Sequence, residues 1–407
     1  MRRKGGRGMS EWKKVKLGEV CDTQYGFTAS TVQQDTGTQF LRITDIVPQL
    51  IDWNTVPYCQ IQEKDREKYL LHKGDIVVAR TGATVGYAKY IKEDVPAVFA
   101  SYLVRLLVNS IDVDRHYVGL CVESNLFKEY IQSISNGSAQ PNANAQMISS
   151  FEINLPPLST QHRIATILSR YDSLIENYQK QIKLLEEAAQ RLYKEWFVDL
   201  HFPGHENTKI VDGVPEGWEK KSIGEIGTVI TGKTPSTSNK ENYGGSIPFI
   251  TIPDMHTGIY PVSSVFLSEK GAESQSKKYI PQGALIVSCI GTAGLVCITK
   301  ERCQTNQQIN SLILDDKEML HYMYFVFLSL KEHLNNIGSN GATMTNVNKS
   351  KFEGIDIVVP SSCIIRDFSQ RTTPYFENIK SLQSQLRLLT EARDRLLPKL
   401  MNGEIAV

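Results

Sequence analysis

Residues 227–234, Gly-Thr-Val-Ile-Thr-Gly-Lys-Thr, fit the pattern G-x-x-x-x-G-K-[ST] to the letter. In a nucleotide hydrolase such a run cradles phosphates: loop amides wrap the oxygens and the lysine neutralises them. That chemistry needs a buried strand before the loop and a helix after it. Here Glu219-Lys220-Lys221-Ser222-Ile223-Gly224-Glu225 precedes the run and is too polar for a central strand. Pro235-Ser236-Thr237-Ser238-Asn239 follows it and reads as loop. No apolar run ending in Asp supplies a second acid for magnesium. A P-loop hydrolase using Lys233 is therefore carried only as an alternative. No other catalytic pattern is found: there is no H-E-x-x-H, no G-x-S-x-G and no Asn-Pro-Pro-Tyr segment for methylating a base. The seven cysteines are odd in number and form no C-x-x-C pair, so they read as reduced thiols of an intracellular protein rather than a zinc site. Neither a metal nor a cofactor is expected on the chain, and no enzyme.

What the chain does show is a repeat. Trp12, Lys14, Gly18 and Glu19 recur 206 residues later as Trp218, Lys220, Gly224 and Glu225. Phe40, Ile43 and Asp45 recur at +209 as Phe249, Ile252 and Asp254. At +204, Asn142, Asn144 and Pro156 match Asn346, Asn348 and Pro360, and the correspondence runs on from Tyr171 to Leu192. One conserved order over the whole chain, with the offset shifting only where loops absorb insertions, indicates an internal duplication far longer than any solenoid period.

Each copy has the same plan. First come about 145 residues with short apolar runs bounded by turn residues, such as Asp75-Ile76-Val77-Val78-Ala79 and Ala284-Leu285-Ile286-Val287, which read as strands. A Pro-marked boundary follows, then a long polar stretch. In it Ile164, Leu168, Tyr171, Ile175, Tyr178, Ile182, Leu185, Ala189, Leu192 and Trp196 are spaced alternately by four and three, a heptad seam. The second copy keeps the register in Tyr375, Ile379, Leu382, Leu386, Leu389, Leu396 and Leu400, with Arg393 interrupting it where the first copy has Ala189. Pro398 is expected to distort or end the last turn. The simplest partner for each seam is the other; the spacing leaves their direction open. A coiled-coil scaffold is a further alternative.

Charge follows the repeat. The chain carries 45 Lys plus Arg against 44 Asp plus Glu, which disfavours a nucleic-acid binder working by charge alone. Residues 10–155 hold 14 basic and 17 acidic side chains, and residues 198–362 hold 14 and 17 again, −3 each. Arg2, Arg3, Lys4 and Arg7 give the first nine residues +4. No apolar stretch follows them, so residues 1–9 read as a disordered or appended tail rather than a secretory signal. With no run of 18 apolar residues, a cytoplasmic location is expected.

Two modules, each followed by a long helix, resemble the specificity (S) subunit of type I restriction-modification enzymes. The likeness is carried by Leu155-Pro156-Pro157-Leu158-Ser159-Thr160-Gln161, by Glu195-Trp196-Phe197-Val198-Asp199 leading to Phe202-Pro203-Gly204, by Val214-Pro215-Glu216-Gly217-Trp218, and by Leu396-Leu397-Pro398-Lys399-Leu400-Met401-Asn402-Gly403-Glu404-Ile405. The sequence departs from the family at Ser361-Ser362-Cys363 and at Arg393. The resemblance implies an α+β chain of two similar mixed α/β target recognition domains, residues 10–155 and 207–358. They are separated by helical regions 156–206 and 359–407, which form an antiparallel coiled coil with pseudo-two-fold symmetry. It implies a non-catalytic subunit that reads a bipartite duplex DNA target and docks two methyltransferase (M) subunits and restriction (R) subunits. S-adenosylmethionine, ATP and Mg would belong to those partners. The stretch from Ile164 to Trp196 would span about 50 Å as a helix, compatible with half-sites separated by about one turn of duplex.

Base edges are read by donors and acceptors on loops. The candidates are Arg42, Arg80, Thr81, Thr84 and Gln140 in the first module and Lys233, Thr234, Thr251, Thr292 and Gln307 in the second. Asn142 and Asn346, retained in both copies, lean toward a structural role.

Overall fold

The computed structural model describes residues 12–48, 50–135, 141–211, 213–338 and 346–407; the basic tail and Gln140 lie outside them. By contact the chain divides into two compact units, one comprising residues up to 176 with 388–407, the other residues 177–387. Each unit contains one module and part of each long helix, α1 (Leu158–Tyr193) and α2 (Ser362–Met401).

In the first unit, β1 (Cys21–Tyr25), β2 (Ile76–Ala79), β3 (Ala88–Tyr90) and β4 (Leu103–Val108) form an antiparallel sheet in the order β1-β4-β2-β3. All of β2 is buried, which is why its run is apolar without alternation. Ile76 and Val78 join Val104, Leu106 and Tyr117 in one core, while Val77 and Ala79 join Leu41, Phe99 and Leu103 in another. Successive residues thus serve opposite faces, as the pleat requires. The second core lies between this sheet and an outer one containing Gln39–Leu41 parallel to Ala97–Phe99. The module closes on itself: Lys13–Lys16 pairs antiparallel with Glu152–Leu155, just ahead of α1.

The second unit repeats this plan. β5 (Gly227–Thr231), β6 (Leu285–Ser288), β7 (Val296–Ile298) and β8 (Ile309–Leu314) form a sheet in the order β5-β8-β6-β7. An outer sheet carries Tyr243–Ile250 parallel to Gln304–Thr305. The closing pair recurs as Glu219–Ser222 with Asp356–Val359. The polar segment before the G-x-x-x-x-G-K-T run is therefore a module-closing strand, and the run itself opens as strand β5.

The long helices meet their partners inside each unit. In the first, Ile164 and Leu168 of α1 share a buried cluster with Leu396, Leu397, Leu400 and Met401 of α2. In the second, Ile182, Leu185, Ala189 and Leu192 share one with Tyr375, Ile379, Leu382 and Leu386. Asp172 pairs with Arg393, whereas Trp196 meets Phe368 at 5.9 Å and lies under the Arg371 guanidinium. Partner numbers fall along α2 as they rise along α1, so the two run antiparallel. Helix α2 passes Pro374 and ends at Met401, one turn after Pro398.

The heptad pattern does not reveal a second buried stripe on α2: Ile365, Phe368, Thr372 and Phe376 are buried off the seam, Thr372 and Phe376 against the helix Leu320–Ser329 of their own module and Phe368 against Trp196 and Phe197. His321 stacks on Phe376 with ring centroids 4.0 Å apart, and its Nδ1 lies 2.9 Å from Thr372 Oγ1. Burial pushes the His321 pKa down from 6.5 to about 4. The unfolded chain then binds more protons than the folded one between those values, so stability falls as the pH drops through that window. His321→Gln is expected to flatten this acid-side loss. The check is the urea midpoint at pH 7 and pH 5; an unchanged difference between them would count against a neutral His321.

Candidate nucleic-acid interface

The ends of β1, β2 and β4 lie side by side, as the register Tyr25↔Val104 and Ala79↔Leu103 shows. The chain leaves β1 through Gly26, whose N–H donates to Leu103 O at 3.2 Å. A Cβ here would sit 2.2 Å from Ala100 O, so only glycine allows the two backbones this approach. Arg80 follows β2. Its guanidinium lies over the Tyr25 ring at 5.0 Å and donates to Asn142 Oδ1 at 3.3 Å. Thr81 bridges Asn142, and Ala143 N–H donates to Arg80 O at 2.7 Å, so Asn142 has the structural role its retention suggests. Arg80 Nε and Thr84 Oγ1 are buried without a partner among the described residues. Tyr25 and Tyr102 stand 44% and 57% exposed at the same end. Arg42 arrives from the outer sheet, where Leu41 O accepts from Ala100 N–H at 2.9 Å. Its Nε and Nη2 both donate to the Asp45 carboxylate, at 3.0 and 2.8 Å, and this pairing raises the guanidinium pKa.

In the second unit Gly232 N–H donates to Ile309 O at 3.0 Å, and a Cβ on it would stand 2.1 Å from Asn306 O. Lys233 is exposed next to it, with its backbone N–H on Thr305 O. Thr234 Oγ1 donates to Gln307 Oε1. Cys289 takes the place of Arg80, accepting from Val347 N–H at 2.9 Å, with Ile290 bridging Asn346 and the exposed Thr292 just beyond. Thr251 follows Ile250, whose carbonyl accepts from Asn306 N–H, and donates from both N and Oγ1 to Asp254 Oδ2 at 2.8 Å.

The two sets of candidates thus gather, each at one end of its own sheet, with Gln140 outside the described residues. The P-loop alternative is overturned. Residues 227–231 are a strand, no helix opens at Lys233, the next being one short turn at Lys240–Asn242, and Gly232 is required by a neighbouring backbone rather than by a phosphate. Tyr25, Tyr102 and Gln308 lie at the same edges and are not among the sequence candidates; alignment of the two copies at this edge brings them out.

That alignment separates two classes of position. Gly26 and Gly232, Asp45 and Asp254, Gly82 and Gly291, and Asn142 and Asn346 are the same in both copies and hold the backbone. Tyr25 is replaced by Thr231, Phe27 by Lys233, Arg42 by Thr251, Arg80 by Cys289, Ser101 by Gln307 and Tyr102 by Gln308. One scaffold therefore presents two different sets of donors, acceptors and rings. No group of three or more potential metal ligands occurs among the described residues, and none of their helices is long and apolar enough to cross a membrane.

Comparison with known proteins points the same way. The sequence matches the family described as the Type I restriction modification DNA specificity domain over residues 9–187 and 215–370. It is 31% identical to the specificity subunit of the type I restriction enzyme HindI of Haemophilus influenzae, covering 98% of this chain and all of that one. It is 29% identical to the MjaIX specificity subunit of Methanocaldococcus jannaschii over 82% of this chain and 78% of the relative. In fold it is similar to the crystal structure of a type I restriction-modification S subunit from M. genitalium, with a TM-score of 0.62, 16% identity and 98% of each chain covered. Two copies of one scaffold, each with its own exposed edge, together with a family match over most of the length, lead to one conclusion: this chain belongs to the type I restriction-modification DNA specificity family.

Proposed function

We propose that this chain selects the DNA sequence for a restriction-modification complex and performs no chemistry itself. Each reading edge contacts one half of a bipartite duplex target. The observation that carries this is the retained scaffold with exchanged edge chemistry: two identical readers would suit a symmetric site, and two different ones suit unlike half-sites. Arg42, Arg80, Thr81, Thr84 and Gln140 are the proposed contacts of the first reader, and Lys233, Thr234, Thr251, Thr292 and Gln307 those of the second. Guanidinium, amide and hydroxyl groups of this kind discriminate base edges by about 1–3 kcal/mol per good pair. The long helices set the unread gap and dock two methyltransferase subunits, with restriction subunits completing the complex. S-adenosylmethionine, ATP and Mg are held by those partners, in the cytoplasm. A helical scaffold without DNA function finds no support in the family membership.

At −3 each, the modules are poor phosphate binders alone, so partners are expected to help clamp the duplex. The decisive experiment is a methylome of cells expressing this chain with its methyltransferase. One bipartite adenine motif is expected. Replacing residues 10–155 by another module should change one half of that motif and leave the other. A change in both halves, or no motif with a competent partner, would overturn the proposal.

A further inference from the structure

We propose that the helix seam is keyed: each long helix accepts the helix of the other copy and rejects a second copy of itself. The 204-residue offset maps Asp172 onto Phe376 and Ala189 onto Arg393. Asp172 with Arg393, and Ala189 with Phe376, are therefore the same helix crossing met twice, once in each unit. In the first unit Arg393 Nη1 lies 3.0 Å from Asp172 Oδ1, the two side chains being 23% and 16% exposed. Arg393 also reaches Asp394 at 2.7 Å, so its charge is doubly met. In the second unit Ala189 and Phe376 are fully buried in one cluster. The contacts of Trp196 with Phe368 and Arg371 set the register that brings Ala189, one heptad back, level with Phe376.

At both crossings the small side chain comes from α1 and the large one from α2. Pairing two copies of α1 would set Asp172 against Ala189. That leaves a void, and Asp172 loses its ion pair with Arg393. Pairing two copies of α2 would set Phe376 against Arg393, two large groups in room for one, and Arg393 would keep only Asp394 of its two carboxylates. Only the unlike pair fits in size at both crossings and keeps the Asp172–Arg393 ion pair. Arg393, which interrupts the apolar seam, is thus a device of partner choice, as a polar residue in a heptad seam can be. The excluded partner is the identical half of a second chain, which the duplication makes available whenever two chains fold near each other.

The test uses the whole chain, cut once after folding at a protease site placed in the exposed segment 209–211, then unfolded and refolded. Native mass spectrometry reads which halves pair. The parent protein should return the unlike pair alone. Asp172→Phe with Arg393→Ala gives every crossing one Phe and one Ala whichever helices meet, so this variant should return like pairs as well, approaching a statistical mixture. Like pairs at that share in the parent, or the unlike pair alone in the variant, overturns the proposal. In the uncut chain, Asp172→Ala, Arg393→Ala and the double variant provide a second measurement. The double variant should unfold at a urea concentration no lower than the worse single; strictly additive losses overturn the coupling on which the key depends.

Discussion

Arg105→Ala is expected to destabilise the first unit by about 3–5 kcal/mol, the cost of leaving a buried charge without its partner. Arg105 is buried in mid-sheet on β4. Its Nη1 donates to Asp75 Oδ2 at 2.9 Å and to Leu70 O at 2.6 Å, its Nη2 to Lys68 O at 3.0 Å and its Nε to Gln24 Oε1 at 3.1 Å. Truncation strands the Asp75 carboxylate in the core. The second copy shows the alternative solution: Ile230, Ala284 and Ser311 occupy the matching positions, with no charge at all. Gln24→Ile, Asp75→Ala and Arg105→Met together should therefore recover most of the loss, because a buried ion cluster replaced by apolar groups of similar volume is often neutral. Urea midpoints of the single and triple variants decide it. A triple variant as unstable as Arg105→Ala would mean that packing, not charge, sets the cost. In the methylome, damage confined to this unit should weaken one half-site.

Gly232→Val is expected to cost about 3 kcal/mol or more, whereas Lys233→Ala beside it should stay within about 0.5 kcal/mol of the parent. The reason is geometric. A Cβ at residue 232 would stand 2.1 Å from Asn306 O and 2.4 Å from Thr305 O, both backbone atoms of a segment held between two sheets. Neither can swing aside as a side-chain end can. The substitution must push apart the segment that carries Lys233 and the loop that carries Gln307, so half-site reading should fail with stability. Gly26→Val, 2.2 Å from Ala100 O, should do the same to the other half-site. The opposite ranking, a mild Gly232→Val and a damaging Lys233→Ala, would restore the phosphate-loop reading.

Much of this architecture is legible in the sequence because duplication writes each element twice. The strand runs around Val77 and Ile286, the alternating seam from Ile164 and the Asn142–Asn346 correspondence all stand out against their own repeat. What stays hidden depends on distant partners. Arg105 interrupts an apolar strand and reads as solvent-facing until Asp75, thirty residues away, is placed beside it. Thr372 and Phe376 lie off the heptad positions because they also pack on the helix Leu320–Ser329 of their own module. The proposed reading edges are legible as loops, but the residues of each are not legible as one surface. Their convergence is fixed by strand register, and Arg42 reaches its edge through a parallel pairing with Ala97–Phe99 that no local pattern announces.

The strand pair that closes each module has a consequence for inheritance. Lys13 stands opposite Leu155 and Glu219 opposite Val359, so the two ends of each module enter and leave at one place. Both chain connections of each module therefore pass through one two-stranded join. A gene crossover falling within those short strands exchanges a complete reader while preserving one backbone ladder and the helix that follows it. Selection for new DNA targets can therefore proceed by shuffling whole cassettes, without passing through chains whose cores are half of one parent and half of another.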